Sequence, residues 1–232
     1  ADADGTAGRR VADCVADQVG ECAVQLLVGT PQVDRGGIFQ QYKGLQQEFG
    51  AARVIDTPIS EATIMGAAVV MSLAGLKPVV EMRVVDFALC AMDEIVNQAA
   101  KARYMFGGQG RVALVARMPV GLWSGSAAQH SQSLEAWFAH VPGLVVVAPA
   151  TPQDNRALLE ASIGCGDPVV YLEHKELWGM QGDVAADNVP LGRAKIVRPG
   201  SDLTLVTWSR TVHEAQAAAK RAWMSVEVID LR

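Results

Sequence analysis

The chain has 232 residues and a mass of 24.6 kDa; 50% of its residues are hydrophobic and 19% charged, so it can bury a sizeable core and is compositionally unlike a disordered chain. A net charge of −5, a pI near 5.4 and the absence of any Lys/Arg run exclude the electrostatic footprint of a nucleic-acid or anionic-membrane binder. Cys14, Cys22, Cys90 and Cys165 are scattered without a C-x-x-C pair, which argues against structural zinc or a disulfide framework and for a reducing, cytoplasmic setting.

The N-terminal A-D-A-D-G-T-A-G-R-R lacks the apolar core of a signal peptide, and a helix is predicted over 9–20. A strand follows at 23–28. The next element is a helix over 60–74, almost wholly apolar after Glu61. The longest apolar stretch, Ile64 to Leu76, is interrupted by Ser72 and too short to span a bilayer. Then come a strand at 77–82, a helix at 88–104, a Gly-rich turn at 107–110 and a strand at 111–116. A loop of small residues bearing His130 leads into a helix, and a strand is predicted at 144–149. A helix over 152–163 has a strong start: Thr151 can cap it, Pro152 suits its first position and Asp154 favours the positive end of its dipole. A strand at 168–173 completes the series. These strands are continuously apolar, as parallel strands covered on both faces are, and their alternation with helices predicts an α/β doubly wound, mostly parallel sheet.

Pro and Gly cluster over 189–202, marking a boundary between a domain of residues 1–193 and a second piece, 194–232. That piece reads as a strand (D-L-T-L-V-T-W), a helix from Thr211 to Trp223 and a strand (S-V-E-V-I-D-L). A β-α-β unit cannot cover both of its faces alone, so this is expected to be the opening of a second α/β domain.

Two residues stand out chemically. Glu61 sits at the mouth of its helix, where Ser60 or Asp56 could cap and the dipole favours a negative charge. On position alone, an ordinary helix-start Glu is as good a reading as a functional one. The helix has no polar face and is expected to be packed all round, however, and a carboxylate held in an interior crevice or interface needs a partner or a task. His130 lies on a Gly/Ser/Ala-rich loop after a parallel strand, where α/β proteins place ligands, although a lone His is more often structural. His174 has a weaker setting, and His140 is expected to pack a turn. The P-loop, the dinucleotide fingerprint and the G-x-S-x-G elbow are missing, as is the G-D-G…N pattern that holds magnesium and diphosphate in thiamine enzymes.

The runs R-V-I-D-T-P-I-S-E-A (53–62), A-G-L-K-P-V-V-E (74–81), D-E-I-V-N-Q-A-A-K-A-R-Y-M-F-G-G-Q (93–109), A-A-Q-H-S-Q-S-L-E-A-W-F-A-H-V-P-G-L (127–144) and P-V-V-Y-L-E-H-K (168–175) stand in order over most of residues 36–179. Together they resemble the beta subunit of the decarboxylating component of 2-oxoacid dehydrogenase complexes. The fold this implies is a thiamine pyrimidine-binding domain followed by the start of a transketolase-type C-terminal domain. In that family the Glu of I-S-E shares a proton with the pyrimidine nitrogen N1′ of thiamine diphosphate, which gives Glu61 its task. Phe87, with Asp86 beside it, falls where the family stacks an aromatic on the pyrimidine, and His130 on its active-site histidine. Ile59, Arg83 and Cys90 fall at the same cofactor pocket. Leu114, Ser162, Ile163, Cys165 and Asp167 align with positions that bind a structural monovalent cation such as K⁺, largely through backbone carbonyls.

The resemblance further implies an alpha subunit that carries the Mg²⁺ and diphosphate, an α₂β₂ heterotetramer, a lipoyl acyltransferase as acceptor and a small 2-oxoacid substrate. Nucleic acid and membrane are not expected partners. Two departures stand against the family pattern. Gly29-Thr30-Pro31 replaces its acidic G-E-D, and Arg83 with Cys90 replaces uncharged or amide residues, so that Arg83 could recognise an unusual carboxylate or phosphate. These departures keep open a split transketolase or acyloin-forming ligase using the same cofactor with a ketone or aldehyde acceptor. A non-catalytic scaffold subunit is disfavoured, because such a subunit need keep none of Glu61, Phe87 and His130.

Overall fold

The computed structural model describes residues 24–28, 41–123, 125–185 and 187–232; the predicted helix 9–20, Cys14, Cys22 and Gly29-Thr30-Pro31 lie outside them. The main sheet has six parallel strands: β1 Val24–Val28, β2 Val54–Asp56, β3 Lys77–Glu81, β4 Val115–Val120, β5 Val145–Val147 and β6 Val169–His174. Their order is β2-β1-β3-β4-β6-β5. Successive side chains go to opposite faces. Val80, Met82, Ala116, Met118 and Val120 join one core, and Val79, Val115, Val169 and Tyr171 join the other. Burial on both faces is why these strands read as unbroken apolar runs.

Five helices accompany the sheet: α1 Leu45–Phe49, α2 Glu61–Leu73, α3 Ala100–Met105, α4 Glu135–Ala139 and α5 Pro152–Gly164. α5 starts as its sequence dictates, with the Thr151 hydroxyl accepting the Asp154 N–H at 3.1 Å and Pro152 in the first turn. The chain passes from β1 outward to β2 and then back across to β3, so the sheet has its switch point between β1 and β3. The crevice beyond the carboxyl ends of these strands is where such sheets receive ligands.

Several expectations need correction. The strand placed at 111–116 begins at Val115 and continues to Val120, through Arg117 and Pro119, which hide it in the sequence. The segment placed as one helix over 88–104 is a 3₁₀ turn over Val85–Ala91, a π-helical stretch over Asp93–Ala99, and only then α3. Asp93 braces the wide turn by accepting from Asn97 Nδ2 at 2.7 Å and Gln98 Nε2 at 3.3 Å, partners four and five residues on. α2 is not packed all round. Ile64, Met65, Ala68, Val69 and Ser72 are buried, whereas Thr63, Ala67, Val70 and Ala74 line an exposed stripe on which Val70 is 65% exposed. The short strand β2 was not anticipated.

Residues 195–230 form a second, three-stranded sheet from β7 Lys195–Arg198, β8 Leu203–Thr207 and β9 Val226–Asp230, with α6 Thr211–Arg221 packed on it. β9 is central, parallel to β8 and antiparallel to the unanticipated β7. Its buried core is small, built on Ala219, Val226 and Val228, while Ile196, Leu203, Val206 and Trp208 are exposed; that is the one-sided burial expected of a partial domain. A seam joins it to the main sheet. Ala148 N–H donates to the Arg232 carbonyl at 2.9 Å, His213 Nε2 meets the Ala150 carbonyl at 2.7 Å, and Arg232 pairs with Asp154 at 2.8 Å. Arg210 also pairs with Glu176.

Candidate active site

Glu61 is the first residue of α2 and is partly buried. Ser60 occupies the cap position, but its hydroxyl donates to Thr63 Oγ1 at 2.9 Å rather than accepting from the helix, and Asp56 is the last residue of β2. Ser60 makes no capping bond, and Glu61 is the acidic group in the first turn, at the positive end of the dipole. α2 packs against both the 3₁₀ turn that carries Phe87 and the π-helical stretch after it, and the 3₁₀ turn in turn touches the Ala128–His130 turn. The rings of Phe87 and His130 meet edge to face, with centroids 5.2 Å apart and planes at 88°. The structure thus brings Glu61, Phe87 and His130 onto three contiguous elements beside the switch point. Ile59, Arg83 and Cys90 border the same region on exposed positions, with Ile59 57% exposed. His140 is exposed and does not pack the turn as expected.

Three residues to which the sequence reading gave no task support the site. Asp86, 7% exposed, accepts from Gln132 Nε2 at 2.7 Å through Oδ1. Lys175, 5% exposed, donates to the His130 carbonyl, and the Gln132 carbonyl accepts the Gly121 N–H at 2.9 Å. Burial lowers the affinity of Lys175 for its proton, opposed by the Asp86 charge. His174, whose imidazole burial likewise pushes toward the neutral form, lies so close to Gly121 that a Cβ there would sit 2.1 Å from Nε2. The sequence around Lys175, L-E-H-K at the end of a strand, gave no sign of this role.

Under the sheet's other face lies a buried ionic cluster. Arg117 is paired with Glu173 and bonded to Tyr42 Oη, with Gln41 Oε1 at 3.2 Å and Glu81 Oε2 at 3.5 Å. Glu81 and Arg117 are register partners on β3 and β4. Burial, then the neighbouring Glu173 charge, pushes the Glu81 carboxyl well above the ordinary range. Leu114, Ser162, Ile163, Cys165 and Asp167 share one corner at the opposite end of β4. There the Leu114 carbonyl accepts from Val169, the Ser162 carbonyl from Cys165, and the Asp167 carbonyl from Cys165 Sγ, while the Asp167 carboxylate pairs with Arg103 at 2.9 Å. Among the described residues no group of three His, Cys, Asp or Glu side chains is arranged to hold a metal, and no helix is long and apolar enough to cross a membrane.

Comparison with known proteins agrees with this geometry. Residues 9–180 match the transketolase pyrimidine-binding domain and residues 192–232 the transketolase C-terminal domain. The chain is 44% identical over 202 residues to the acetoin:2,6-dichlorophenolindophenol oxidoreductase beta subunit of Cupriavidus necator, covering 85% of this chain and 60% of the relative. It is 45% identical over 205 residues to the mitochondrial pyruvate dehydrogenase E1 beta-1 subunit of Arabidopsis thaliana, covering 84% and 56%, and 40% identical over 204 residues to the 2-oxoisovalerate dehydrogenase beta subunit of Bacillus subtilis, covering 85% and 62%. It therefore spans about three-fifths of the length of these relatives. A solved split-gene transketolase, described as an inactive beta4 tetramer, shares the fold with a TM-score of 0.74 at 19% identity, over 98% of this chain and 71% of that one. With residues 9–180 matched by its model and a six-stranded parallel sheet at its centre, the chain belongs to the transketolase pyrimidine-binding domain family.

Proposed function

We propose that this chain is the beta subunit of a thiamine diphosphate-dependent 2-oxoacid dehydrogenase, sharing its active site with an alpha subunit in an α₂β₂ assembly. The observation that carries the reading is the edge-to-face contact of Phe87 with His130, the Phe87 turn packing in addition against α2, the helix that Glu61 begins. One carboxylate, one aromatic ring and one imidazole fit the pyrimidine half of the cofactor. Bound thiamine diphosphate would supply the electron sink for loss of CO₂ from a 2-oxoacid. Glu61 would hold a proton at the pyrimidine nitrogen, Phe87 would support the ring, and His130 would give or orient a proton at the reacting carbon. Ile59, Arg83 and Cys90 would line the entrance, open in this chain to the partner. The corner at Leu114, Ser162, Ile163, Cys165 and Asp167 would hold K⁺ through carbonyls with a lone pair to spare, as a stabilising rather than a reacting ion.

The domain boundary at 193/194 is supported by β7 starting at Lys195. The reducing setting proposed for the chain is supported by the free thiols of Cys90 and Cys165. The relatives favour the dehydrogenase over a transketolase or ligase. The test is co-expression with an alpha-type partner, followed by assay of CO₂ release from pyruvate and 2-oxoisovalerate with dichlorophenolindophenol or a lipoyl acyltransferase as acceptor. Turnover of either acid supports the reading. A well-formed assembly that binds thiamine diphosphate and decarboxylates neither, or saturable binding of the cofactor by this chain alone, overturns it.

A further inference from the structure

We propose that Asp86 and Lys175, both buried and of opposite charge, clamp the His130–Gln132 loop from two sides, making Asp86 the positioning residue that fixes the His130 imidazole against Phe87. The loop is gripped at three points. Lys175 Nζ donates to the His130 carbonyl, Gln132 Nε2 donates to Asp86 Oδ1 at 2.7 Å, and the Gln132 carbonyl accepts the Gly121 N–H at 2.9 Å. Asp86 and Phe87 are neighbours in the chain, so a single dipeptide holds the loop through its carboxylate and abuts it through its ring. Asp86 Oδ2 is buried and has no hydrogen-bond partner. A buried, half-satisfied carboxylate is costly unless a positive charge stands near it, and Lys175 is the cation whose field it meets. Lys175 also meets the His130 backbone, and the charges that face the neighbouring His174 are Glu176, Arg210 and Glu214, Arg210 being paired with both acids.

The catalytic meaning of the clamp rests on the function proposed above; its physical content does not, and the test is chosen so that the two can fail separately. In the full chain labelled with ¹³C-lysine, the Lys175 ¹³Cε shift is followed against pH and assigned with Lys175→Arg, and the Phe87–His130 contact is followed by ring-to-ring nuclear Overhauser effects. Asp86→Asn keeps the shape and removes the charge. It should lower the Lys175 protonation constant by roughly tenfold, the usual scale for losing one adjacent opposite charge, and weaken the Phe87–His130 contact. Gln132→Glu leaves Asp86 in place, adds a second anion and abolishes the amide bond. It should raise the same constant while also losing the ring contact, so the pair of variants gives opposite signs and remains decisive if Asp86→Asn fails to fold. A Lys175 constant unchanged within about twofold in the folded variants refutes the coupling of the two charges, and an undisturbed ring contact refutes the clamp. In the assembled enzyme, a wild-type pair that turns over 2-oxoacids and an Asp86→Asn pair with unaltered kcat would refute the positioning role alone.

Discussion

Replacing Arg117 with Met removes the one cation among two carboxylates in the densest part of the sheet. Side-chain exposure is 1% for Arg117, 2% for Glu81 and 3% for Glu173, so water cannot take over the lost interaction. Breaking a buried ion pair by deleting one partner costs about 3–5 kcal/mol, and the Arg117 contacts to Tyr42 and Gln41 go with it. The cost should depend on pH in a definite direction. Glu81 is already pushed above its usual 4.5, so the folded chain retains a proton that the unfolded chain releases as the pH rises past that value. Stability due to this group is therefore fully present below about 4.5 and is lost as pH rises through the folded pKa. Without Arg117 the Glu81 carboxyl moves further up, and the penalty widens in the alkaline direction. Urea unfolding followed by circular dichroism at pH 5 and pH 8 should show Arg117→Met more destabilising at pH 8. Adding Glu81→Gln and Glu173→Gln should recover most of the loss and flatten its pH dependence. A cost under about 1 kcal/mol, the level of an exposed pair, or an equal cost at both pH values would refute the reasoning.

Glu61→Gln should fold and assemble normally yet slow turnover by about a hundred- to ten-thousand-fold, the range of a general acid–base group; kcat within about threefold of wild type would return Glu61 to a helix-start residue. His130→Ala should spare proton exchange at C2 of the bound cofactor and slow overall turnover, and equal loss of both would contradict a role after activation. Gly121→Ala meets both a φ of +83° and a contact 2.1 Å from His174 Nε2, so it should destabilise the fold, read by urea unfolding, by well beyond the roughly 1–2 kcal/mol of the backbone strain alone. His174→Ala in the same chain should return part of that loss. Thr151→Ala should cost about 1 kcal/mol through the lost cap on α5, read by urea unfolding.

The parts of the fold legible in the sequence are those in which one local rule dominates. α5 carried its own start signal, and β3, β5 and β6 were continuous apolar runs, so each lies within a residue or two of its predicted bounds. β4 escaped because Arg117 is tolerated there only by carboxylates from other strands, Glu81 and Glu173, which no local pattern reveals. The Asp93–Ala99 stretch read as an ordinary helix because period and composition do not distinguish five-residue from four-residue hydrogen bonding; side-chain bonds from Asp93 do. α2 misled through composition: a helix apolar all round can present one side outward when the chain is considered by itself. Glu61, Phe87 and His130 were legible through the family resemblance rather than through any spacing rule, since 69 residues separate the first from the last. Gln132 and Lys175 act through a carbonyl and a carboxylate brought near by folding, and neither had a motif to announce it.

The seam between the two sheets sets terms for recombination with relatives. A crossover placed between 180 and 194 would exchange the small sheet while keeping the large one, and the three side-chain contacts across the seam would not be equally forgiving. His213 needs only a main-chain carbonyl at Ala150, which the retained sheet supplies whatever its sequence, so the incoming segment must bring the side chain at 213. Arg232 and Arg210 instead require the side chains of Asp154 and Glu176. Asp154 is the stricter requirement, because it is buried and serves at once as the first-turn acid of α5, the partner of the Thr151 hydroxyl and the counter-ion of Arg232. A chimera whose incoming segment lacks the basic residue at 232 would leave that carboxylate uncompensated at the start of a core helix, so compatible donors can be chosen by inspecting positions 210, 213 and 232 before any are built.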